Sequence, residues 1–377
     1  VKKNKISVGV IFGGRSAEHQ VSLVTARSVM SALDPEKYEV VPIGITSEGR
    51  WLSTPDAVRL LQEGSDLSKI PESILTPDPT VRSLVSHRIA GEQSVHQQID
   101  VVFPLVHGTY GEDGTLQGLL ELADLPYVGA GVLGSSVGMD KVVTKRLCEL
   151  AGIPTAPYLS FLGSEYRAAK TNWISKIEKH LGYPAFVKPA NSGSSVGISK
   201  AHDRKELVPA IELAMQYDRK ILVERGVKNA REIELGVLGN DKPEASIAGE
   251  IVPSNEFYDY DAKYVDGKST AYIPAELPKA VVKKLQGLAV QAFKAIDCAG
   301  MARVDFLVVK KTNKIFLNEL NTIPGFTSIS MYPKLWEASG LAYGKLLDKL
   351  IELAIERHDE KSYRKTAYCP KEDWYKE

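Results

Sequence analysis

Residues 6–12, Ile-Ser-Val-Gly-Val-Ile-Phe, form an apolar, β-branched run that stops at Gly13-Gly14 and passes straight into a helical pattern through Val21, Val24, Val29 and Leu33. A short run closed by glycine and followed by 3.6-residue periodicity reads as strand, turn and helix. Tyr38 to Ile45 and Ile99 to Val106 read as further strands, the second leading into the Gly-rich stretch His107 to Gly114 and a helix around Leu116 to Leu122. Strands alternating with helices predict an α/β fold with a parallel sheet covered on both faces. Its functional residues belong on loops at the carboxyl ends of the strands. Thr54 to Gln98 is polar and weakly patterned and is expected to be a peripheral elaboration.

With 377 residues the chain has room for two or three domains. Three are expected, over residues 1–130, 131–222 and 223–377. The second carries a helix from about Asp140 to Ala151, a strand at Ala185 to Pro189 that holds Lys188, the Ser/Gly run Asn191 to Gly197, and a helix over Lys205 to Gln216. The third opens at the strand Ile221 to Glu224. It continues with strands at Ile233 to Leu238 and Ile247 to Val252, a helix over Lys279 to Ile296, a hairpin over Met301 to Asn321, and a helix over Leu346 to Arg357. The charged, aromatic-containing tail is expected to be loosely ordered.

Lys+Arg and Asp+Glu are both 47, so the net charge is zero and no general attraction to nucleic acid or anionic membrane is expected. Cys148, Cys298 and Cys369 are odd in number and lack C-x-x-C spacing, which argues against a disulfide framework or zinc knuckle and for a reducing compartment. The apolar run after Lys2-Lys3 is too short for a spanning helix and lacks an A-x-A cleavage pattern, so a cytoplasmic location is expected. A processed chain beginning with Val, one that has lost a longer leader, is the alternative to that expectation.

Two patterns invite misreading. Gly129 to Gly134 matches G-x-G-x-x-G, but Glu149 falls inside the next helical pattern and not at the end of a second strand, so a plain turn is the better reading. Gly-Ser-Ser-Val-Gly occurs at 134–138 and 193–197, and each copy satisfies the G-x-S-x-G nucleophile pattern, through Ser136 and Ser195. A nucleophile elbow needs a strand before it and a helix after it. The first copy follows a glycine turn and the second precedes a strand-like Ile198-Ser199-Lys200, so flexible turns are favoured. The second copy also reads as a phosphate cover, because successive backbone N–H groups on a glycine loop can close over anionic oxygens.

The hairpin 301–321 carries the most constrained cluster of charged side chains in the chain. Antiparallel pairing about Thr312 places Asp305 opposite Glu319 and Arg303 opposite Asn321. Alternation then puts these four on one face and Val304, Phe306, Val308, Phe316 and Leu320 on the other. Two carboxylates and an amide suit Mg2+, with Arg303 toward phosphates or a developing oxyanion. A solvated hairpin face with an Arg–Glu or Arg–Asp pair is the competing reading.

The ordered motifs 12–23, 107–117, 138–141, 187–197, 231–234, 256–264 and 318–328 together resemble the D-alanine:D-alanine ligases of the ATP-grasp superfamily, over Val8 to about Glu356. The resemblance implies the three-domain ATP-grasp architecture and a cytoplasmic homodimer. It implies a two-step ligation supplying peptidoglycan precursor synthesis. The carboxylate of one D-alanine takes the γ-phosphoryl group of ATP, and the amine of a second D-alanine attacks the acyl phosphate.

The same resemblance assigns roles. Lys141 and Lys188 hold ATP phosphates, Ser195 lies in the covering loop, Glu224 and Val227 read adenine, Glu232 binds ribose, and Lys263 reaches the phosphates from a mobile loop. Glu18 receives the ammonium of the first D-alanine in a hydrogen-bonded chain with Ser194 and Tyr264. Read from residues alone, Glu18 is also a helix cap. His107 lies near the first substrate, Ser330 and Met331 at the carboxylate of the second. Arg303 stabilises the oxyanion, and Asp305, Glu319 and Asn321 bind two Mg2+ ions, for which Mn2+ can substitute. The Lys263-Tyr264 pair favours a dipeptide over a D-lactate product. D-alanine:D-serine ligation, a serine hydrolase using Ser195, and a nucleotide-binding protein without turnover stand as alternatives.

Overall fold

The computed structural model describes residues 5–87, 95–252, 269–327 and 329–365. In the first unit, β1 (Ile6–Gly13), α1 (His19–Ala32), β2 (Tyr38–Ile45), β3 (Trp51–Leu52), α2 (Ala57–Glu63), β4 (Glu72–Leu75), β5 (Ser83–His87), β6 (Val95–Gln98), β7 (Val101–Pro104) and α3 (Thr115–Leu122) follow one another. The sheet order is β6-β5-β4-β3-β2-β1-β7. Only β2, β1 and β7 run parallel. The segment expected to be peripheral instead supplies antiparallel strands at one edge, so the sheet is mixed. Strands of two to five residues on a half-exposed edge leave too little alternation to read from sequence.

Next come α4 (Val132–Met139), α5 (Lys141–Leu150), β8 (Tyr158–Leu162), α6 (Gly163–Ala168), α7 (Lys170–His180), β9 (Ala185–Pro189), β10 (Ser199–Ala201), α8 (Arg204–Ala214) and β11 (Lys220–Arg225). The antiparallel order β10-β9-β11-β8 makes a four-stranded sheet. Strand β11 therefore belongs with β9, and the border expected at 222 falls inside it. Gly134 to Gly138, expected as a flexible turn, is helical in α4. Its glycines serve close packing: a Cβ on Gly134 would lie 2.6 Å from the Asp297 carbonyl oxygen, and one on Gly138 2.7 Å from Thr322 Cγ2.

The last unit holds β12 (Ala230–Gly239), β13 (Glu244–Ala245), β14 (Gly249–Val252), β15 (Thr270–Tyr272), α9 (Lys279–Ala295), β16 (Gly300–Val309), β17 (Ile315–Asn321), α10 (Met331–Ala338) and α11 (Tyr343–Ser362). Its sheet runs β15-β14-β12-β16-β17, with β13 beside β12. Ile233, Val304, Phe306, Leu317 and Leu320 bury one face against Leu285, Ala289 and Phe293 of α9. Helix α11 crosses back, so Leu346, Leu350 and Ile351 share a core with Val8, Val10 and Phe103. Burial of this apolar face locks the first and last units together and leaves the opposite face of β12-β16-β17 turned toward the four-stranded sheet. Among the described residues no helix is long and apolar enough to cross a membrane.

Candidate active site

The hairpin register is as expected at its functional end: Arg303 faces Asn321 and Asp305 faces Glu319. Strand β12 extends the row, with Glu234 opposite Asp305 on the other side. Beyond Asp305 a β-bulge shifts the pairing so that Phe306 meets Leu317. Asn318 becomes the extra residue. The shift corrects the assignment of Phe316 to the apolar underside: Ile315 and Leu317 are buried there instead, and Phe316 is half-buried with the Lys314 ammonium 4.8 Å from its ring centre.

A cleft of about 490 Å³ opens between the two C-terminal sheets. Its walls include Lys188, Ser195, Glu224, Val227, Glu232, Arg303, Asp305 and Glu319, residues drawn from five separate stretches of chain. It narrows into a neck lined by Lys141, Ser194, Ser195, Glu319 and Asn321. Ser195 and Glu319 line both, so most of the predicted site residues lie on two adjoining spaces. A second cleft, about 460 Å³ and lined by Tyr127, Arg357 and Lys361, holds none of them.

Lys188 and Glu224 are adjacent because β9 and β11 pair edge to edge. Lys188 Nζ lies 2.5 Å from Glu224 Oε2 and donates to Asn318 Oδ1 at 3.3 Å. The other Glu224 oxygen takes Lys145, also at 2.5 Å. Burial pushes the Glu224 carboxyl upward, but the two ammonium charges outweigh it and hold it down at about 2. For Lys188, burial works downward and the charges of Glu224 and Glu319 carry it above its ordinary value. Lys141 is no surface lysine: only 9% exposed, it donates to the Ser192 carbonyl at 2.6 Å. Asp140 caps α5 and accepts from the Val142 and Val143 amides, both at 3.1 Å, which sets Lys141 at the helix start.

The loop after β9 turns through Ser194 and Ser195 with φ of 43° and 61°. Such left-handed residues point successive N–H groups inward, the geometry of an anion cradle. The loop returns as β10, so it is strand, turn, strand and not the strand, turn, helix of a nucleophile elbow. Ser136 donates to the carbonyls of Asp113 and Val132, both at 2.8 Å, inside α4. Neither serine has the setting that the hydrolase alternative requires.

Glu18 precedes α1 but makes no capping hydrogen bond, which removes the helix-cap reading. It reaches across to accept from Ser194 Oγ. The carboxylate sits against Gly108 and Gly193, where a Cβ would collide with Oε2. Buried and backed by two glycines, it is a ready counter-ion for an ammonium. His107 is a buried strut, its ring nitrogens 3.1 Å from the Ile323 carbonyl and 3.2 Å from Thr25 Oγ1, and burial pushes its pKa down. Ser330 precedes α10 without capping it through its side chain; its hydroxyl accepts from the Thr327 amide at 3.0 Å, while Met331 packs on Ile251 and Leu335. These two do not line the cleft or its neck. Lys263 and Tyr264 lie outside the described residues, as does Cys369.

Sequence reasoning missed Lys145, Glu112, Glu234 and Asn318. Lys145 follows Lys141 by four residues and so shares its helix face, a signal available in the spacing. Glu112 accepts from the Gly108 amide at 2.8 Å and the Ile323 amide at 3.0 Å, joining the first unit to the segment after β17. Burial, then the nearby Glu18 charge, pushes its carboxyl from the ordinary 4.5 up to about 8. The fold therefore holds this proton more tightly than the unfolded chain. Stability from it is full below about pH 4.5 and is lost as pH rises through 8. Glu112→Gln is expected to flatten the fall in thermal midpoint across that window; an unchanged slope would contradict the assignment.

Arg303 donates from Nε to Asp305 Oδ1 at 2.8 Å and from Nη2 to Oδ2 at 2.7 Å, and its Nε lies 3.1 Å from Glu234 Oε2. Asn321 Nδ2 donates to Asp305 Oδ2 at 3.0 Å. Among the described residues no group of three or more His, Cys, Asp or Glu side chains gathers closely enough to hold a metal alone. Two carboxylates and an amide oxygen on one face are instead the donor set of Mg2+ that shares its shell with phosphate oxygens and water.

Residues 7–130 match the family model described as D-ala D-ala ligase N-terminus, and residues 147–352 match D-ala D-ala ligase C-terminus. The D-alanine–D-alanine ligase of Caldicellulosiruptor bescii is 54% identical over 357 residues, covering 95% of this chain and 97% of that one. The ligase of the same name from Chloroherpeton thalassium is 52% identical over 365 residues, covering 96% and 100%. Among solved structures, the VanG D-Ala:D-Ser ligase from Enterococcus faecalis superposes with a TM-score of 0.82 at 37% identity, over 93% of this chain and 100% of that one. The D-alanine-D-alanine ligase from Coxiella burnetii gives 0.81 at 38% identity, over 96% and 97%.

Proposed function

The chain belongs to the D-alanine–D-alanine ligase family, and from that premise we propose that it joins two D-alanine molecules at the expense of ATP, making D-alanyl-D-alanine for peptidoglycan precursors. The observation that carries the reading is a left-handed serine loop that accompanies the Arg303-Asp305-Glu319-Asn321 face along the cleft and its neck and is bonded, through Ser194, to the buried, ammonium-ready carboxylate of Glu18.

ATP lies between the four-stranded and six-stranded sheets. Glu224 and Val227 face adenine, Glu232 the ribose, and Lys141, Lys188 and the Ser194-Ser195 loop the phosphates, with Lys263 joining from outside the described residues. Asp305, Glu319 and Asn321 hold two Mg2+ ions, which supply charge neutralisation when bound. Glu18 orients the first D-alanine through its ammonium, with Ser194 and Tyr264 completing the chain of hydrogen bonds and His107 bracing the wall behind it. A carboxylate oxygen of that D-alanine takes the γ-phosphoryl group, and ADP leaves. The amine of the second D-alanine, its carboxylate at Ser330 and Met331, attacks the acyl carbon and loses a proton. Arg303 faces the tetrahedral oxyanion. Collapse breaks the C–O bond and releases phosphate with the dipeptide. No protein nucleophile is needed, so positioning and charge neutralisation supply the rate.

D-serine as acceptor is a second reading, to which the likeness to the Enterococcus faecalis structure lends no more weight than the Coxiella burnetii structure lends to D-alanine. The higher identity to D-alanine–D-alanine ligases favours D-alanine. A three-domain division with its second border placed after β11, a homodimer and a cytoplasmic location belong to the same family reading. Incubation with ATP, Mg2+ and D-alanine is expected to release ADP and phosphate in step with dipeptide. ATP consumption with L-alanine alone would overturn the proposal.

A further inference from the structure

Glu234 stands in the same cross-strand row as Asp305 and Glu319, yet the reaction as derived above gives it no part. Its side chain is 5% exposed, so its charge needs a partner, and that partner is the Arg303 guanidinium at 3.1 Å. Arg303, 16% exposed, is itself pinned twice. Its Nε donates to Asp305 and lies 3.1 Å from Glu234 Oε2 as an ion-pair contact, while Nη2 donates to Asp305. Both oxygens of Asp305 are consequently engaged by Arg303, and Oδ2 also by the Asn321 amide.

This arrangement conflicts with metal binding by Asp305. A Mg2+ ligand oxygen approaches its ion to about 2.0–2.1 Å and takes the place of hydrogen-bond donors on that side. Arginine does not deprotonate, so it cannot escape the conflict by losing charge. A guanidinium left behind in a mostly buried position, with its bidentate partner turned away, is costly unless a second carboxylate stays with it. Glu234 is placed to do that. It touches the guanidinium from the neighbouring strand, through a nitrogen that need not move when Asp305 does.

We propose that Glu234 is a positioning residue that retains Arg303 as its counter-charge when Asp305 turns to Mg2+, and so prevents the guanidinium from competing with the metal for Asp305. The proposal rests on the metal reading of Asp305 given above. Without Glu234, Arg303 keeps Asp305 as its hydrogen-bonded partner and the Glu319 charge nearby, both assigned to the metal, so metal binding must break the bidentate pair with no carboxylate left over for the guanidinium.

The test is a cycle of four proteins: the natural chain, Glu234→Gln, Arg303→Ala and the double variant. Mn2+ binding to each ADP complex is followed by electron paramagnetic resonance. Glu234→Gln is expected to weaken Mn2+ binding about tenfold when Arg303 is present and less than about twofold when Arg303 is alanine. Equal weakening in both backgrounds would mean that Glu234 acts on the metal by its own charge, and would overturn the proposal. No weakening in either background would overturn it as well. Asp305→Asn separates the two layers: it is expected to lose Mn2+ binding, and natural affinity in that variant would defeat the metal reading itself. Circular dichroism checks that each variant is folded. Should Glu234→Gln not fold, Glu234→Asp keeps the charge, lengthens the contact to Arg303 and carries the same cycle, with the same Arg303-dependent weakening expected.

Discussion

Glu319→Gln is expected to lower turnover by about 10²–10³-fold while changing unfolding stability by less than about 1 kcal/mol. The asymmetry follows from where the carboxylate points. Glu319 is half-buried, lines both the cleft and its neck, and lies on the opposite face of β17 from Leu317 and Leu320. Its charge works on the cleft and on the cations that line it, Lys188 and Arg303, which keep Glu224, Asp305 and Glu234 as closer partners, and not on the packing against α9. Steady-state kinetics with saturating Mg2+, paired with urea unfolding, checks the prediction. Equal losses in both would restore the salt-bridge interpretation of the hairpin face.

Glu224→Gln should behave in the opposite way, costing about 3–5 kcal/mol of stability in addition to activity. Lys145 and Lys188 both end on this carboxylate, with side chains 2% and 10% exposed. Removing its charge strands two buried ammonium groups. Replacing Lys145 by Met in the same chain should recover part of the loss, because one of the stranded charges is then gone. Urea midpoints for the single and double variants give the comparison. A single-variant loss below about 1 kcal/mol would mean that solvent already compensates the pair.

Much of this site was legible because strand registers obey simple arithmetic. Pairing about Thr312 brings Arg303, Asp305, Glu319 and Asn321 to one face, and the structure has that register at the functional end. The bulge after Asp305 was not anticipated, although Ile315, Leu317 and Leu320 hint at it by spacing the buried positions two and then three apart. It turns Phe316 out and adds Asn318 to the cleft wall. Helix α4 was misread for a different reason. Its glycines look like turn formers in isolation, and only the close approach of Asp297 and Thr322 shows that they permit helix packing. The i,i+4 spacing puts Lys145 on the helix face of Lys141, but its partner Glu224 lies far away in sequence, and Glu234 gains meaning only from Arg303, which no local pattern connects to it.

The family motifs reach further, drawing Glu18, Ser194, Lys141 and Lys188 together from the sequence. The Glu18–Ser194 contact and the cleft neck agree with that grouping. Ser330 and Met331 stand apart from the cleft wall, so the acceptor subsite rests on the resemblance more than the donor subsite does.

The central claim is that this cleft activates one D-alanine as an acyl phosphate and passes it to the amine of another. Supplying D-alanine labelled with 18O in its carboxylate, together with ATP and Mg2+, tests this directly by mass spectrometry of all products. The account predicts D-alanyl-D-alanine and ADP, with one labelled oxygen carried into each inorganic phosphate released. Dipeptide accompanied by unlabelled phosphate, or by AMP and pyrophosphate, would contradict it.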